Sequence, residues 1–515
     1  MDIGEKAPSD LFGGLSEPGL VSLLAEVGGF LASEGGPAYL VGGFIRDGLL
    51  SRPTADIDIA VAGDALEVAS QVANAFEGKY VLLDKVNRVG RVILAGQEDD
   101  PSLGQRELDF SSLAEDIETD LARRDFTIDA VALDLGRWAG GQRQLPFIDP
   151  FGGLSDLRQG IVRVVSLQAF TSDAVRLLRG VRLAYQLGFR IESDTEALMK
   201  RHCHLLSTVA GERLREELIR LLALPGEERL LFHLDELGLL TAIIPELALA
   251  RGVTQPREHF WDVLAHSLNT VAAVDFVLGQ GSWAYVGDSV RAEVPWSAGR
   301  DEYFSRPVSG GSTRRVLLKM AALLHDVAKP QAKTIEPSGR MRFLGHAQQG
   351  ADVAVAILER LRFSGREIKL TETLVRYHLR PTQMSQGGLP SPRAIYRYFR
   401  DTGDAGVDIL FLSLADHLAT RGPRLKLDNW REHTRLVDYV LTKRFQEESV
   451  VKPPRLVSGH DLIRLFGLSP GPRIGELLEA VREAQASGEI STRDEALAYL
   501  GQRLSLKQGR YGQKK

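Results

Sequence analysis

The stretch LVGGFIRDGLLSRPTADIDIAV, residues 40–61, decides how the chain is read. It opens on a short apolar run, meets a double glycine, continues through a helix-like segment and ends in DIDIAV, where Asp and apolar residues alternate. Alternation with period two marks a strand, and on a strand residues i and i+2 project from one face. Asp56 and Asp58 therefore present two carboxylates to one spot. Asp is depleted in strands and neighbouring carboxylates repel, so the pair is poorly placed for stability. A hard divalent cation relieves that repulsion, and magnesium takes a few carboxylates together with substrate phosphates. Two such ions can activate an attacking hydroxyl and steady a leaving pyrophosphate. Gly42 and Gly43 let the backbone approach a phosphate group, and Arg46, beside Asp47, supplies charge-assisted hydrogen bonds to a triphosphate. Each feature alone also has an ordinary reading, as a solvated strand edge or a tight turn.

Working outward, residues 14–34 carry apolar positions at helical spacing and stop at Gly35-Gly36-Pro37. DALEVASQVANAF reads as a helix; KYVLLD, RVGRVILAG and QRELDFSSL read as strands. The last of these offers Asp109, either as a third metal ligand or as a base. Strands and helices alternate to about residue 160, which predicts a small α/β or α+β unit. From Thr171 the texture is helical and rich in Arg and Leu, interrupted at 278–312 by a Gly/Ser/Pro-rich stretch that reads as a long loop or insertion. Lys452-Pro453-Pro454 predicts a linker to a last helical segment, 456–505, and the final fifteen residues hold five basic and no acidic side chains.

Composition narrows the class without naming a function. A chain of 515 residues is too long for one core. Its 44% hydrophobic and 25% charged content is that of an ordinary globular protein. A single cysteine, Cys203, excludes an internal disulfide framework and fits a reducing compartment. MDIGEKAPSDLFGG carries acidic residues where a leader peptide is basic. No run approaches the roughly 20 apolar residues of a membrane span. The expected location is cytoplasmic, with no membrane partner. A formal charge of −5 does not advertise a polyanion partner, although net charge hides local patches.

Two further constellations carry chemistry. TSDAVRLLRGVRLAYQLGF predicts one helix from residue 171, with Thr171 or Ser172 as its N-cap. On that helix Asp173 and Arg176 stand at i and i+3 and share a face. An aspartate accepts from an exocyclic amine and a guanidinium donates to ring nitrogens or carbonyls, so the pair can read the edge of C or A. On spacing alone, a helical ion pair worth about 0.3–0.5 kcal/mol is the simpler reading. Arg179 extends the basic face. Farther on come His266 in AHSLNTV, His325-Asp326 in ALLHDVAKP, His346 in FLGHAQQGA, His378 in VRYHLRP and Asp416 in LADHLAT.

With DLARRDFTIDAVALDL at 120–135 and IDPFGGLSDLRQGIVRVV at 148–165 following the opening stretch, residues 38–225 resemble the class II tRNA nucleotidyltransferase and bacterial poly(A) polymerase family. The resemblance implies an α+β fold, with a five-stranded, polymerase beta-like mixed-sheet nucleotidyltransferase head followed by an all-α neck, an HD body and a tail. The expected bounds are 1–160 for the head, 161–235 for the neck, 236–450 for the body with its insertion near 278–312, and 451–515 for a tRNA-binding tail. It implies two Mg2+ ions on Asp56 and Asp58, Arg46 near the triphosphate, and Arg123, Arg124 and Asp125 positioning sugar and phosphates. Asp173 and Arg176 would serve as the protein template for the base, with Arg179 near phosphate. Asp129 stands where the family usually has Asn, and Ser172 where it often has Glu. Arg213 and Glu216 match a family helix with packing as their default role. In the tail, Gly471-Pro472 would start a helix close to RNA phosphates.

The His and Asp order of the body resembles the HD phosphohydrolase superfamily. It implies that His266, His325, Asp326 and Asp416 converge on a metal, either a divalent transition metal or Mg2+. His346 and His378 would be further ligands or phosphate contacts, and Lys329 a contact for substrate phosphate. The implied activity is template-independent addition of CMP and AMP, from CTP and ATP, to the 3′ end of tRNA, beside a phosphohydrolase site. The rivals are an A-adding or CC-adding enzyme, a poly(A) polymerase, and an HD phosphohydrolase with an inactive head. KVNRVGRVILAG lacks the Arg-Arg-Phe segment of bacterial poly(A) polymerases, which disfavours that rival.

Overall fold

The computed structural model describes residues 18–54, 56–95, 106–113, 115–140, 146–226, 228–295, 299–385, 388–446, 451 and 453–511; the side chains of Asp56 and of 506–511 lie outside the described set. The described residues part into two compact units, one running to Val209 and including Leu234–Ala242, the other comprising Ala210–His233 and everything from Ile243.

The first unit opens with α1 (Pro18–Ser33), β1 (Ala38–Val41), α2 (Gly43–Leu49) and β2 (Asp56–Val61). Then come α3 (Ala65–Ala75), β3 (Lys79–Asp84), β4 (Val89–Leu94), β5 (Arg106–Ser112), α4 (Ile117–Ala122) and β6 (Ala132–Asp134). Asp64 caps α3 by accepting from the backbone N–H of Leu66, which is why the helix starts there. The strands form one six-stranded sheet in the order β3-β4-β5-β2-β1-β6. This is one strand more than the resemblance implied, because β6 pairs antiparallel with β1. Its inner positions, among them Leu40, Ile57, Ile59, Val92, Leu108 and Phe110, are buried. β2 and β5 run parallel with Asp58 directly opposite Asp109, while antiparallel β1 sets Val41 opposite Asp58.

The neck departs from its sequence reading. The segment from residue 171 is not one helix: a short turn of helix covers Ala169–Ser172, and α5 begins only at Arg176, running to Leu187. Between them Asp173 is extended, with φ −153° and ψ 104°. Its carboxylate accepts from the N–H of Val175 at 3.2 Å and its carbonyl from the N–H of Arg176 at 3.2 Å. Local side-chain bonding of this kind competes with helix continuation. Thr171 and Ser172 do not cap α5; their hydroxyls donate back to the carbonyls of Gln168 and Ala169. Asp173 and Arg176 are therefore neighbours across a turn rather than on one helical face.

The second unit is built from α6 (Val263–Val277), α7 (Arg314–Leu324), α8 (His346–Arg360), α9 (Gly365–Tyr377), α10 (Pro392–Thr402), α11 (Gly406–Arg421) and α12 (Leu427–Gln446). α6 is buried on nearly every face, as a helix at the centre of a core must be. Charge inside this core is paired: Lys319 Nζ of α7 lies 2.7 Å from Asp275 of α6. The stretch 278–312 is no simple loop. It folds into short helices at Asp288–Arg291 and Arg300–Ser305 and a small hairpin, and its Phe304 and Arg300 lie 5.1 and 5.3 Å from the Phe411 ring. The tail holds α13 (Gly459–Phe466), α14 (Pro472–Ala486) and α15 (Arg493–Tyr511), with Leu462, Val481 and Leu500 in a small core of their own. Arg397 and Arg400 of α10 pair with Glu483 and Glu479 of α14. Among the described residues, no helix is long and apolar enough to cross a membrane.

Candidate functional site

In the head, the double glycine and the strand carboxylate meet. Gly42 has φ +71°, and a Cβ there would lie 2.9 Å from Asp58 Oδ2 and 2.8 Å from Arg124 Nη1. Only glycine lets this carboxylate and guanidinium crowd the backbone at the start of α2. Burial pushes the Asp58 carboxyl up to about 6, with Arg124 opposing the rise and the charges of Asp109 and Asp129 adding to it. Asp109 shares the sheet face through its register with Asp58 and takes a bidentate pair from Arg91, with Nε at 2.7 Å and Nη2 at 2.8 Å. Arg91 lies opposite Asp109 on β4 and also reaches Glu107. The donor set, hard carboxylate oxygens with one held unfavourably charged by burial, fits magnesium. Asp56 begins β2, but its side chain lies outside the described residues.

The arginines of the two motifs divide the work. Arg46 is buried, donates to both oxygens of Asp47 at 2.9 Å and places Nη1 2.5 Å from Asp129 Oδ1. Burial alone would lower its pKa, but Asp129 and Asp47 raise it. Its guanidinium is thus engaged by two carboxylates, where the sequence suggested a triphosphate contact. Arg124 reaches Asp120 at 3.2 Å and the carbonyl of Asp129 at 3.5 Å, while the side chain of Arg123 is exposed. Asp125 is buried; it accepts from its neighbour's N–H and lies 2.9 Å from Arg179 Nε of the neck helix. Arg179 Nη2 is also 3.7 Å from Asp129. Arg176 donates to the carbonyl of Arg123 at 2.8 Å. Gly180 permits this approach, since a Cβ there would come 2.7 Å from Phe126. The Arg123–Asp129 stretch and the start of the neck helix therefore form one cluster. Arg91 and the Arg46–Asp129 pair were not read from the sequence, because neither pairing has a spacing signal.

The body brings all six HD residues together. His266 Nε2 lies 3.2 Å from His325 Nε2, 3.1 Å from Asp416 and 3.4 Å from Asp326. His325 Nε2 is 3.1 Å from Asp326 Oδ2. The other oxygen of Asp326 faces His346 Nε2 at 3.3 Å and His378 Nε2 at 3.8 Å. Two triads able to hold a metal result, His266–His325–Asp416 and Asp326–His346–His378. The Nδ1 atoms of His325, His346 and His378 sit 2.6–2.8 Å from the carbonyls of Ala322, Phe343 and Val375. Outer contacts of this kind fix the tautomer and leave Nε2 facing inward, free to ligate. Asp326 Oδ1 and His346 Nε2 are buried and make no hydrogen bond of good geometry among the described residues. Such atoms fit a metal as partner, and four imidazoles with two carboxylates suit a transition metal.

Electrostatics support the same reading. Burial alone would raise Asp326, but His325 and Lys329 hold it well below the usual carboxylate range. Burial would likewise lower His325, and Asp326 outweighs it to raise the imidazole. Burial pushes His378 down to about 3. Lys329 Nζ is 2.6 Å from Asp326 and 2.7 Å from Gln255 Oε1, so it serves the ligand carboxylate rather than standing apart for a substrate. A cavity of about 470 Å³ opens over the cluster, walled by Lys329, Arg342, Arg421, His259 and His417. His259, edge-on to His266 at 5.4 Å, and His417 carried no signal in the sequence that set them apart.

Comparison with known proteins finds matches along both the head and the body. Residues 38–163 match the poly A polymerase head domain, 188–250 the probable RNA and SrmB-binding site of polymerase A, 299–421 the HD domain, and 430–500 the putative tRNA nucleotidyltransferase domain 2. An A-adding tRNA nucleotidyltransferase of Deinococcus radiodurans is 33% identical over 90% of this chain and 94% of its own length. The chain belongs to the tRNA nucleotidyltransferase family. A CC-adding relative from Thermus thermophilus is 34% identical over 90% of this chain and 93% of its own. Among solved structures, a CCA-adding enzyme in complex with CTP superposes with a TM-score of 0.64 at 21% identity, covering 97% of this chain and 99% of that one. At that identity the likeness speaks for the fold. For this tRNA nucleotidyltransferase the HD match begins after His266, which α6 contributes from outside the matched segment.

Proposed function

We propose that this tRNA nucleotidyltransferase adds C, C and A in order to the 3′ end of tRNA, using CTP and ATP and no nucleic-acid template. The observation that carries the reading is Asp58, buried against the Gly42 backbone with Asp109 opposite it and Arg124 beside it. Asp56, Asp58 and Asp109 would hold Mg2+, which supplies charge neutralisation for the triphosphate and acidifies the attacking hydroxyl. The 3′ oxygen forms a bond to the α-phosphorus as the bond to pyrophosphate breaks. The chain's own part is to align these groups and exclude competing geometries. Gly42 and Gly43 admit the phosphates to the backbone, Arg124 and exposed Arg123 balance their charge, and Asp125 and Arg179 fix the neck helix at that spot. Asp173 and Arg176, joined by their turn, would meet the edge of the incoming base.

A narrower output is the second reading, favoured by one observation: full-length relatives are named A-adding or CC-adding enzymes. One experiment separates the two. Labelled CTP and ATP are offered to tRNA ending at the discriminator base, and products are resolved by single nucleotides. Stepwise C, C and A is the expected result; arrest after CC, or A added only to a CC end, replaces it with the narrower enzyme. For the body we infer a metal-dependent phosphate-ester hydrolase, carried by the two triads that share the Asp326 neighbourhood. Asp326→Ala should abolish ester hydrolysis and leave nucleotide addition intact; loss of both, or of neither, sinks this inference.

A further inference from the structure

A cavity of about 720 Å³ opens in the body away from the HD cluster, and it shares no wall residue with the cavity over that cluster. Four segments wall it: the short helix Arg300–Ser305, the start of α7, the turn Gly403–Ala405 ahead of α11, and the last turns of α12. They contribute the guanidiniums of Arg300, Arg306, Arg314 and Arg444, against the carboxylates of Asp404 and Asp438. Depth sorts these charges. Arg300 is buried and the Arg314 side chain is only 15% exposed, whereas Asp404 and Asp438 are exposed. Water and salt screen the two carboxylates far more than the two deep cations. The interior is cationic and the rim mixed.

The arginines are held in different ways. Arg314 is tied down: it pairs with buried Asp408, donates to the carbonyl of Asp404 at 2.7 Å and lies 4.5 Å from the centre of the Tyr303 ring. The Tyr303 hydroxyl donates to the same Asp408 at 2.6 Å, so this part of the wall is a closed polar network. The Arg300 guanidinium lies over Phe411 at 5.3 Å; burial pushes its pKa down to about 10, with Asp438 opposing the fall. A cation destabilised by desolvation is one that an incoming anion stabilises. Arg444 rests over the Phe399 ring at 5.6 Å, with no carboxylate partner among the described residues. Val407 and Leu441 add apolar wall, and Phe445, 65% exposed, offers an aromatic ring toward solvent. A guanidinium fork matches phosphate oxygens, and the volume lies in the range of pockets that hold whole organic ligands.

We propose that this cavity binds an organic phosphate monoester of mononucleotide size, with the phosphoryl group on Arg300 and Arg444 and a flat ring against Phe445. It depends on neither reading above, since no head residue and none of the six HD residues lines it. A monoester fits better than the backbone of a nucleic acid. Its phosphate is a chain end that can reach a buried guanidinium, whereas a backbone phosphate carries chain on both sides and needs an open groove.

The test uses the full chain in EDTA, which silences metal-dependent binding elsewhere. Thr442→Cys places a thiol in the cavity wall, and the chain's own Cys203 is told apart by peptide mapping. Alkylation of the introduced thiol by iodoacetamide is followed against rising AMP, inorganic phosphate, adenosine or tRNA. AMP should suppress it, phosphate should do so only at higher concentration, and adenosine should have no effect. Adding Arg444→Glu, at a partly exposed position, should raise the AMP concentration required by about tenfold or more with the circular dichroism spectrum unchanged. Arg300→Gln should do the same from the buried side. Protection by tRNA but not by AMP would assign this wall to an RNA backbone and overturn the proposal. So would no protection, equal protection by adenosine, or AMP protection that survives Arg444→Glu undiminished.

Discussion

Asp58 and Gly42 show how one residue's freedom serves another's charge. Adding a methyl at Gly42 meets Asp58 and Arg124 together, at a φ that only glycine adopts freely. Gly42→Ala should therefore cut nucleotide addition by about 100-fold or more, since misplacement near an ångström carries that penalty. Circular dichroism should show the fold retained. Asp58 gives a second expectation. Its carboxyl is pushed up to about 6 by burial, so the ion-free site holds a proton below that pH and is ionised above it. A metal binds only the ionised form. The Mg2+ concentration needed for half-maximal addition should stay flat above pH about 6 and rise about tenfold per unit below it. A flat dependence down to pH 5 would show that another group controls loading.

At the scale of elements, the chain places helices against one another through buried charge as well as apolar contact. Lys319 of α7 and Asp275 of α6 are both nearly fully buried and 2.7 Å apart, and Asp275 also accepts from the N–H of Gly226 at 3.2 Å. Removing one partner leaves the other as an uncompensated buried charge. Lys319→Ala should destabilise the second unit by about 3–5 kcal/mol in denaturant unfolding. Burial already raises the Asp275 carboxyl, so the folded state holds its proton more tightly than the unfolded chain does. The variant's deficit should accordingly shrink as pH falls and Asp275 becomes neutral. In the neck, Gly180 sets the approach of α5 to Phe126, and Gly180→Val should push that helix outward. The expected signature is a raised KM for both CTP and ATP, with weaker discrimination between them.

For the whole molecule, the two candidate metal sites proposed above fall in different units, and their donor sets differ. The head offers carboxylate oxygens and the body mostly imidazole nitrogens, so they sort hard from borderline cations. Purified protein should retain a transition metal that disappears in Asp326→Ala but not in Asp58→Ala, as read by elemental analysis. After chelation, Mg2+ alone should restore nucleotide addition and leave ester hydrolysis lost. Restoration of both by Mg2+ would show that the body's site is harder than its ligands suggest.

The sequence by itself determined the residue types and their order: the Gly-Gly turn, the strand with Asp56 and Asp58, the Arg123–Asp129 motif and the six HD residues. These are legible because strand and helix periods and family motifs are local properties of the chain. It also placed β2 to β5 and α3 closely, since each is short, periodic and bounded by breakers. What only the tertiary structure decided is which charge meets which. Asp109 faces Arg91 because β4 and β5 pair in one register, and Arg46 turns to Asp129 across 83 residues of chain. Asp173 left the helix because its own carboxylate bonded the backbone, and Phe304 buried itself from a stretch that reads as loop. The stacked His417 and His433 come from neighbouring helices whose packing no spacing encodes. Periodicity fixes direction along an element, whereas pairing across elements depends on register and packing, which exist only once the chain has folded.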